Sequence, residues 1–213
     1  MTMQDFFHGR KEDSKKPFVY PPTPAELYTY ADFYQEPYRT FFKFLYLYGC
    51  RTTEALNCQV QDLRRESMEG KDLLVAELLT LKNRKYKRRS LPALMQGVER
   101  EMALDILEYV GRAAPEYYLF GFNRQKAYNH ISQQRITVRA IVEEPRREIV
   151  TLENFRLYPH FLRHCRASHL VSLHGYNEVD LMRFMGWTDP SLSAVYVRLD
   201  WKDLARSMIR SGA

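Results

Sequence analysis

Long apolar runs are missing from this 213-residue chain. No stretch approaches the roughly eighteen uninterrupted apolar residues of a membrane span. The N-terminal MTMQDFFHGRKEDSKK is too charged to be a secretory leader. Cysteine is scarce: Cys50, Cys58 and Cys165 are odd in number and lack CxxC spacing, which speaks against a disulfide framework or a zinc ribbon. Reduced, mostly buried thiols are expected instead. Internal repeats, low-complexity tracts, a P-loop and a carboxylate cluster are all missing. What is present is a 45% hydrophobic composition, the usual globular share and enough for a sizeable core. The expectation is a soluble intracellular protein of one large domain, or a domain with an appendage.

The net charge of +6 comes from 32 Lys and Arg against 26 Asp and Glu, and it is concentrated. Residues 82 to 89, KNRKYKRR, hold Lys82, Arg84, Lys85, Lys87, Arg88 and Arg89 and no acid; without those six, bases and acids balance at 26 each. A solvated loop is the ordinary fate of such a run, but its isolation in a neutral chain also suits a phosphate-seeking finger. Neutralising about six phosphates would give a log-log salt slope of about −5.

Along the chain, residues 1 to 20 are polar and aperiodic and read as a mobile tail ending at Pro21 and Pro22. Thr23, Pro24 and Glu26 spell a helix start with a capping box. After Pro37, FFKFLYLY is apolar nearly all round, which predicts a central buried helix stopped at Gly49, with Arg51 leading into a helix at TTEAL. DLLVAELLTL, KNRKYK and RRSLPAL read as a hairpin with a basic turn. Helices are expected over 95–111 and 124–134, and extended pieces around Pro145. Further helices are expected from Pro159 to His174 and from Glu178 to Met185. Asp189 and Pro190 start another that would carry Tyr196 near its middle. In the tail, Trp201, Leu204, Ala205, Met208 and Ile209 form one apolar stripe on a short amphipathic helix. The fold class is mainly α with a small antiparallel β-sheet (α+β).

The densest chemistry lies in YPHFLRHCRASHL, residues 158 to 170, with His160, His164, His169, Arg163 and Arg166. Zinc is disfavoured although His160 and His164 have the spacing for it. The HExxH glutamate is replaced by Phe161, no third ligand is placed, and Arg163 on the same side repels a cation. Phosphate suits it better. His160 and Arg163, three apart near a helix N-terminus, offer an imidazole, a guanidinium and unpaired amides to an anion. Residue by residue, a solvated basic helix with core-facing histidines is the favoured reading, and His164 and His169 read as helix residues hydrogen-bonded within the fold.

GCRTTEAL around Arg51, the basic hairpin, PHFLRHCRASHL and MGWTDPSLSAVY together resemble the tyrosine recombinase, or phage integrase, family, from about residue 23 to residue 200. Arg51 with Glu54 matches its Arg and following acid, His160 and Arg163 its His-x-x-Arg, and Trp187 and Tyr196 its His or Trp nine residues before the nucleophile. The resemblance implies a catalytic domain over 21–200 with Arg51, Lys82, His160, Arg163, Trp187 and Tyr196 as catalytic residues. Tyr196 would be the nucleophile of a covalent 3′-phosphotyrosyl intermediate in DNA cleavage and rejoining. Arg51 and Arg163 would grip the non-bridging oxygens. His160 would help take the tyrosine proton or bond a phosphate oxygen, and Trp187 would offer its indole N–H. Lys82 is the choice for the lysine that protonates the leaving 5′-oxygen, with Lys85 and Lys87 as rivals because the turn is longer than usual. Arg84, Lys85, Lys87, Arg88, Arg89 and Arg166 would bind DNA. No cofactor and no metal is implied, since the covalent link conserves the ester's energy.

Double-stranded DNA and a homo-oligomer assembled on it are the implied partners, with a cytoplasmic, nucleoid-associated location and no membrane. The family usually carries an N-terminal helical domain that closes around DNA. With residues 1 to 20 in its place, the chain is expected to be a fragment of a longer protein or a minimal enzyme. Residues 201–213 would dock on a neighbouring protomer or fold back. Cys50 and Phe161 depart from the usual aliphatic and polar residues. Two other functions carry the same motifs: strand relaxation as in type IB topoisomerases, which share the chemistry, and a DNA-binding module with a decayed site.

Overall fold

The computed structural model describes residues 18–82, 85–111, 113–142 and 148–197. The side chains of residues 81–86 and 141–148 lie outside that description. Among the described residues the α-helices are α1 (Pro24–Ala31), α2 (Tyr38–Tyr48), α3 (Thr52–Leu56), α4 (Gly97–Val110), α5 (Arg124–Ile131), α6 (Pro159–Ser172), α7 (Glu178–Met185) and α8 (Pro190–Ala194). The strands are β1 (Phe18–Val19), β2 (Leu63–Met68), β3 (Lys71–Lys82), β4 (Lys85–Leu94), β5 (Arg135–Val142) and β6 (Glu148–Arg156). Mainly α with small antiparallel sheets is therefore the architecture, and none of these helices is long and apolar enough to cross a membrane.

The centre is α2. Phe41, Phe42, Phe44, Leu45, Tyr46, Leu47 and Tyr48 are fully buried, as a helix apolar on every side requires. Even Lys43 is buried, its ammonium 2.6 Å from Asp105 and above the Tyr28 ring. Gly49 ends α2 in the left-handed region at φ 52°, where a Cβ would lie 3.1 Å from Arg166 Cγ and 3.2 Å from Met185 Sδ. The Thr23–Glu26 capping box of α1 forms in full. Asn123, Asn177 and Asp189 cap α5, α7 and α8. Cys50, Cys58 and Cys165 are free and buried.

Three expectations change. The hairpin is a three-stranded sheet in the order β2-β3-β4. Its edge strand β2, LRRESM, is almost wholly exposed, so it carries no apolar alternation to be read. The turn from β2 to β3 uses Glu69 and Gly70, both at positive φ. Second, the extended pieces form a second sheet, β1-β5-β6, whose β5–β6 register shifts between Ile136 and Val138, near Asn154 at φ 58°. Strand β1 recruits Phe18 and Val19 from the segment expected to be a mobile tail, pairing Val19 with Ala140. Third, α8 ends at Ala194, so Tyr196 follows the helix instead of sitting in its middle; β-branched Val195 and Val197 flank it. The tail helix expected over residues 201–213, Arg84 and Pro145 lie outside the described residues.

Candidate active site

Helix α6 begins at Pro159, and its first two turns carry His160, Arg163 and His164 on neighbouring faces. Arg163 is 3% exposed, and its guanidinium donates to the carbonyls of Gly49 and Met185, at the C-terminal ends of α2 and α7. Helix C-termini present unpaired carbonyls with partial negative charge, so two helices aim their dipoles at this one cation. Carbonyls fix the guanidinium without cancelling its charge, and no carboxylate pairs with it among the described residues. Burial, then repulsion from Arg51, lowers its pKa to about 10, which still leaves it charged at neutral pH.

Arg51 stands at the N-cap of α3 with its side chain 48% exposed. Its backbone N–H donates to Glu54 Oε2 at 2.8 Å and its guanidinium to Oε1 at 3.0 Å. Glu54 is buried and also accepts from the Thr80 hydroxyl at 2.7 Å and, at 3.4 Å, from Arg89. Burial alone would raise its pKa. The Arg51 N–H, the Thr80 hydroxyl and the two guanidinium groups outweigh that and hold it below the ordinary carboxylate value.

Arg51 and His160 line one concavity with Cys50, Arg124, Tyr128 and Tyr158. Crowding by protein around the His160 ring, then the charges of Arg163, Arg51 and His164, lower its pKa, so it is neutral at pH 7. The Tyr196 ring stacks on Trp187, with centroids 5.5 Å apart and planes 21° from parallel, and the Arg163 guanidinium lies 5.6 Å from the Trp187 ring. Burial pushes the Tyr196 hydroxyl up to about 12, against a lowering by Arg163. Arg51, His160, Arg163, Trp187 and Tyr196 thus come from four separate segments into one neighbourhood. The phenol is not among the residues lining the Arg51–His160 concavity. Its hydroxyl meets His164 Nδ1 at 3.1 Å. No motif assigns His164 a role at the site, although its place four residues after His160 on the same helix face is a usable signal.

The expected DNA-binding residues divide. Lys87 and Arg88 are exposed on β4, Arg88 against Glu77 and Asp62. Arg89 points to the face opposite Arg88 because side chains alternate along a strand. It donates to the Phe184 carbonyl at 2.7 Å and reaches Glu54, an inward bracing role in place of the expected outward one. A Cβ at Gly186 would come within 2.8 Å of its Nη1, so glycine is what lets the guanidinium lie there. Arg166 is also corrected. It is 2% exposed, 2.6 Å from Glu99, and sandwiched near the Tyr46 and Phe184 rings, so it belongs to the core and cannot reach DNA. Strands β3 and β4 bring Lys82 and Lys85 to the turn as a paired couple, with their side chains and Arg84 outside the description. Arg124 and Tyr128, on α5, reach the concavity through tertiary packing and had no motif to announce them.

No curated protein sequence matches the chain significantly. Among solved structures, the XerH site-specific recombinase bound to difH substrate in a pre-cleavage complex is similar with a TM-score of 0.54 and 16% identity, over 93% of this chain and 55% of that one. The XerA recombinase is similar with a TM-score of 0.53 and 15% identity, over 90% of this chain and 66% of that one. The chain therefore spans 55% and 66% of the length of these two proteins, and the likeness is one of fold. The family model described as Phage integrase family matches residues 24–202, most of the described fold and all of the site just described. On that match the chain belongs to the phage integrase family, the tyrosine recombinases.

Proposed function

We propose that the protein is the catalytic domain of a site-specific DNA recombinase that cleaves and rejoins strands through a 3′-phosphotyrosyl intermediate on Tyr196. Family and fold support site-specific recombination. A phosphodiester repels nucleophiles, and a phenol held near 12 is scarcely ionised at neutral pH. Arg51, exposed, and Arg163, fixed by carbonyls, supply forked donors for the two non-bridging oxygens as charge builds on them. His160, neutral at the mouth of the same concavity, donates to a phosphate oxygen. Trp187 stacks on Tyr196 and offers its indole N–H. As the tyrosine oxygen bonds to phosphorus, the bond to the 5′-oxygen breaks and Lys82 protonates the leaving oxygen.

The observation that carries this reading is the charge of Arg163, held by carbonyls with no carboxylate paired to it among the described residues, and buried beside both the Arg51–His160 concavity and Tyr196. A buried cation without a carboxylate costs stability, and an incoming phosphate removes that cost. Double-stranded DNA is the partner, with Lys87 and Arg88 on its backbone together with Arg84 and Lys85. Paired cleavages require a homo-oligomer on the DNA, and XerH, similar in fold, is described bound to its difH substrate. No membrane is involved in this reading.

Incubation of the protein with nicked suicide duplexes tests it. The expected product is a protein–DNA band that survives denaturation and disappears with Tyr196→Phe. Wild-type protein that forms no adduct on any nicked duplex, or an adduct that persists in Tyr196→Phe, overturns it.

A further inference from the structure

We propose that His164, and not His160, is the general base that takes the proton of Tyr196. The inference rests on Tyr196 being the nucleophile. His164 sits between two oxygens: Nε2 is 2.7 Å from the Val19 carbonyl and Nδ1 is 3.1 Å from the Tyr196 hydroxyl. A carbonyl only accepts, so Nε2 must carry the hydrogen. In the neutral ring Nδ1 then bears the lone pair, and the tyrosine hydroxyl is the donor. The tautomer is fixed by a strand: Val19 belongs to β1 and is held there by its pairing with Ala140 of β5. Phe161 stacks on the imidazole at 5.7 Å and 25°, which fixes the ring plane. The histidine is thereby oriented by a second group and aimed at the nucleophile by the first, the arrangement that activates a weak nucleophile.

Burial lowers the His164 pKa, against a raising by the Val19 bond, and keeps the ring neutral at pH 7. Among the described residues, the ionisable groups around the His164–Tyr196 contact include Tyr196 after α8, His160 and His169 on its own helix, and Arg163, Cys165 and Tyr158 beside Tyr196. Strand β1 contributes the Val19 carbonyl. In the step, the tyrosine proton passes to Nδ1 as the tyrosine oxygen bonds to phosphorus and the 5′-oxygen leaves with a proton from the general acid. His164 becomes an imidazolium whose Nε2–H still meets Val19. On rejoining, the 5′-hydroxyl attacks, the phosphotyrosyl bond breaks, and Nδ1 returns its proton to Tyr196. No other reactant is consumed. His160 is then left to the phosphate.

The test uses His164→Asn, whose side chain still offers a polar atom near the position of Nδ1 but cannot hold a proton. With nicked suicide duplexes, noncovalent DNA binding should match wild type while adduct formation falls by about 10² to 10⁴-fold at pH 7. The deficit should shrink as pH rises toward the phenol's own ionisation, because a tyrosinate needs no base. Three results overturn the proposal: wild-type cleavage by His164→Asn, a deficit that stays constant with pH, or faster cleavage, which would make the contact a resting place for the tyrosine. Should His164→Asn not fold, His164→Gly with added imidazole takes its place; regained cleavage supports the base, and none overturns it. A wild type without adduct, or an adduct in Tyr196→Phe, sinks the nucleophile reading itself. A wild-type adduct with an unimpaired His164→Asn sinks only the base.

Discussion

Arg163 and Arg166 sit three residues apart on one helix, both almost fully buried, and the fold treats them oppositely. Arg166 lies one turn further along α6, where Glu99 neutralises it at 2.6 Å and His174 shares the same carboxylate oxygen at 2.9 Å. The charges close on themselves, and the Tyr46 and Phe184 rings cover them. Arg163, in the turn before it, is held by two carbonyls, and no carboxylate pairs with it among the described residues. A buried cation that is paired is architecture, whereas one fixed only by dipoles keeps its field for a ligand. The partner, more than the residue type or its depth, separates the core from the site.

The strongest break in that comparison is Arg166→Met. It leaves the buried Glu99 with only His174 as a partner and should cost about 3 to 5 kcal/mol by chemical denaturation. The double variant Arg166→Met, Glu99→Met should recover most of the loss. Arg163→Lys comes next: a point charge cannot replace the fork, and adduct formation should fall about 10² to 10³-fold on suicide duplexes. A rate within a few-fold of wild type would move Arg163 from the site to the core.

A pH titration of stability sharpens the core side of the comparison. Burial and the charge of Arg166 push the His169 pKa from 6.5 down to about 4, while its Nδ1 meets the Tyr46 hydroxyl. Between those values the unfolded chain binds the proton and the folded chain does not. The stability from the neutral ring is therefore complete above about 6.5 and is lost as pH falls toward 4, by at most about 3 kcal/mol. His169→Gln should flatten that part of the curve. Gly49→Ala, next to Arg166 Cγ and at positive φ, should lower stability by about 1 to 2 kcal/mol. The smallest effect is on the exposed sheet: Lys87→Ala should reduce the log-log salt slope of DNA binding by about 1 without changing stability.

The motif residues were legible because each carries local information. Thr23 and Glu26 close a capping box, α2 is apolar on every face, and Arg51 with Glu54, His160 with Arg163, and Trp187 with Tyr196 keep fixed short intervals. Other features were hidden for identifiable reasons. Strand β2 is polar because its residues face water at the sheet edge. The tail's last residues join β5 through backbone hydrogen bonds, which are blind to side-chain pattern. Arg89 and Arg166 look like any other base in the lettering, and only the face on which each sits gives it Glu54 or Glu99 as a partner.

The sequence by itself determined the family and the helical frame and named the residues proposed to react, since capping, periodicity and interval are properties of neighbouring residues. Tertiary structure alone decided which cation is spent on a carboxylate and which is kept, and which histidine meets the tyrosine. Those choices depend on distances between segments far apart in the chain, from Val19 to His164 and from Glu99 to Arg166. Coulomb energy and hydrogen bonding act through space, and no spacing along the chain encodes them.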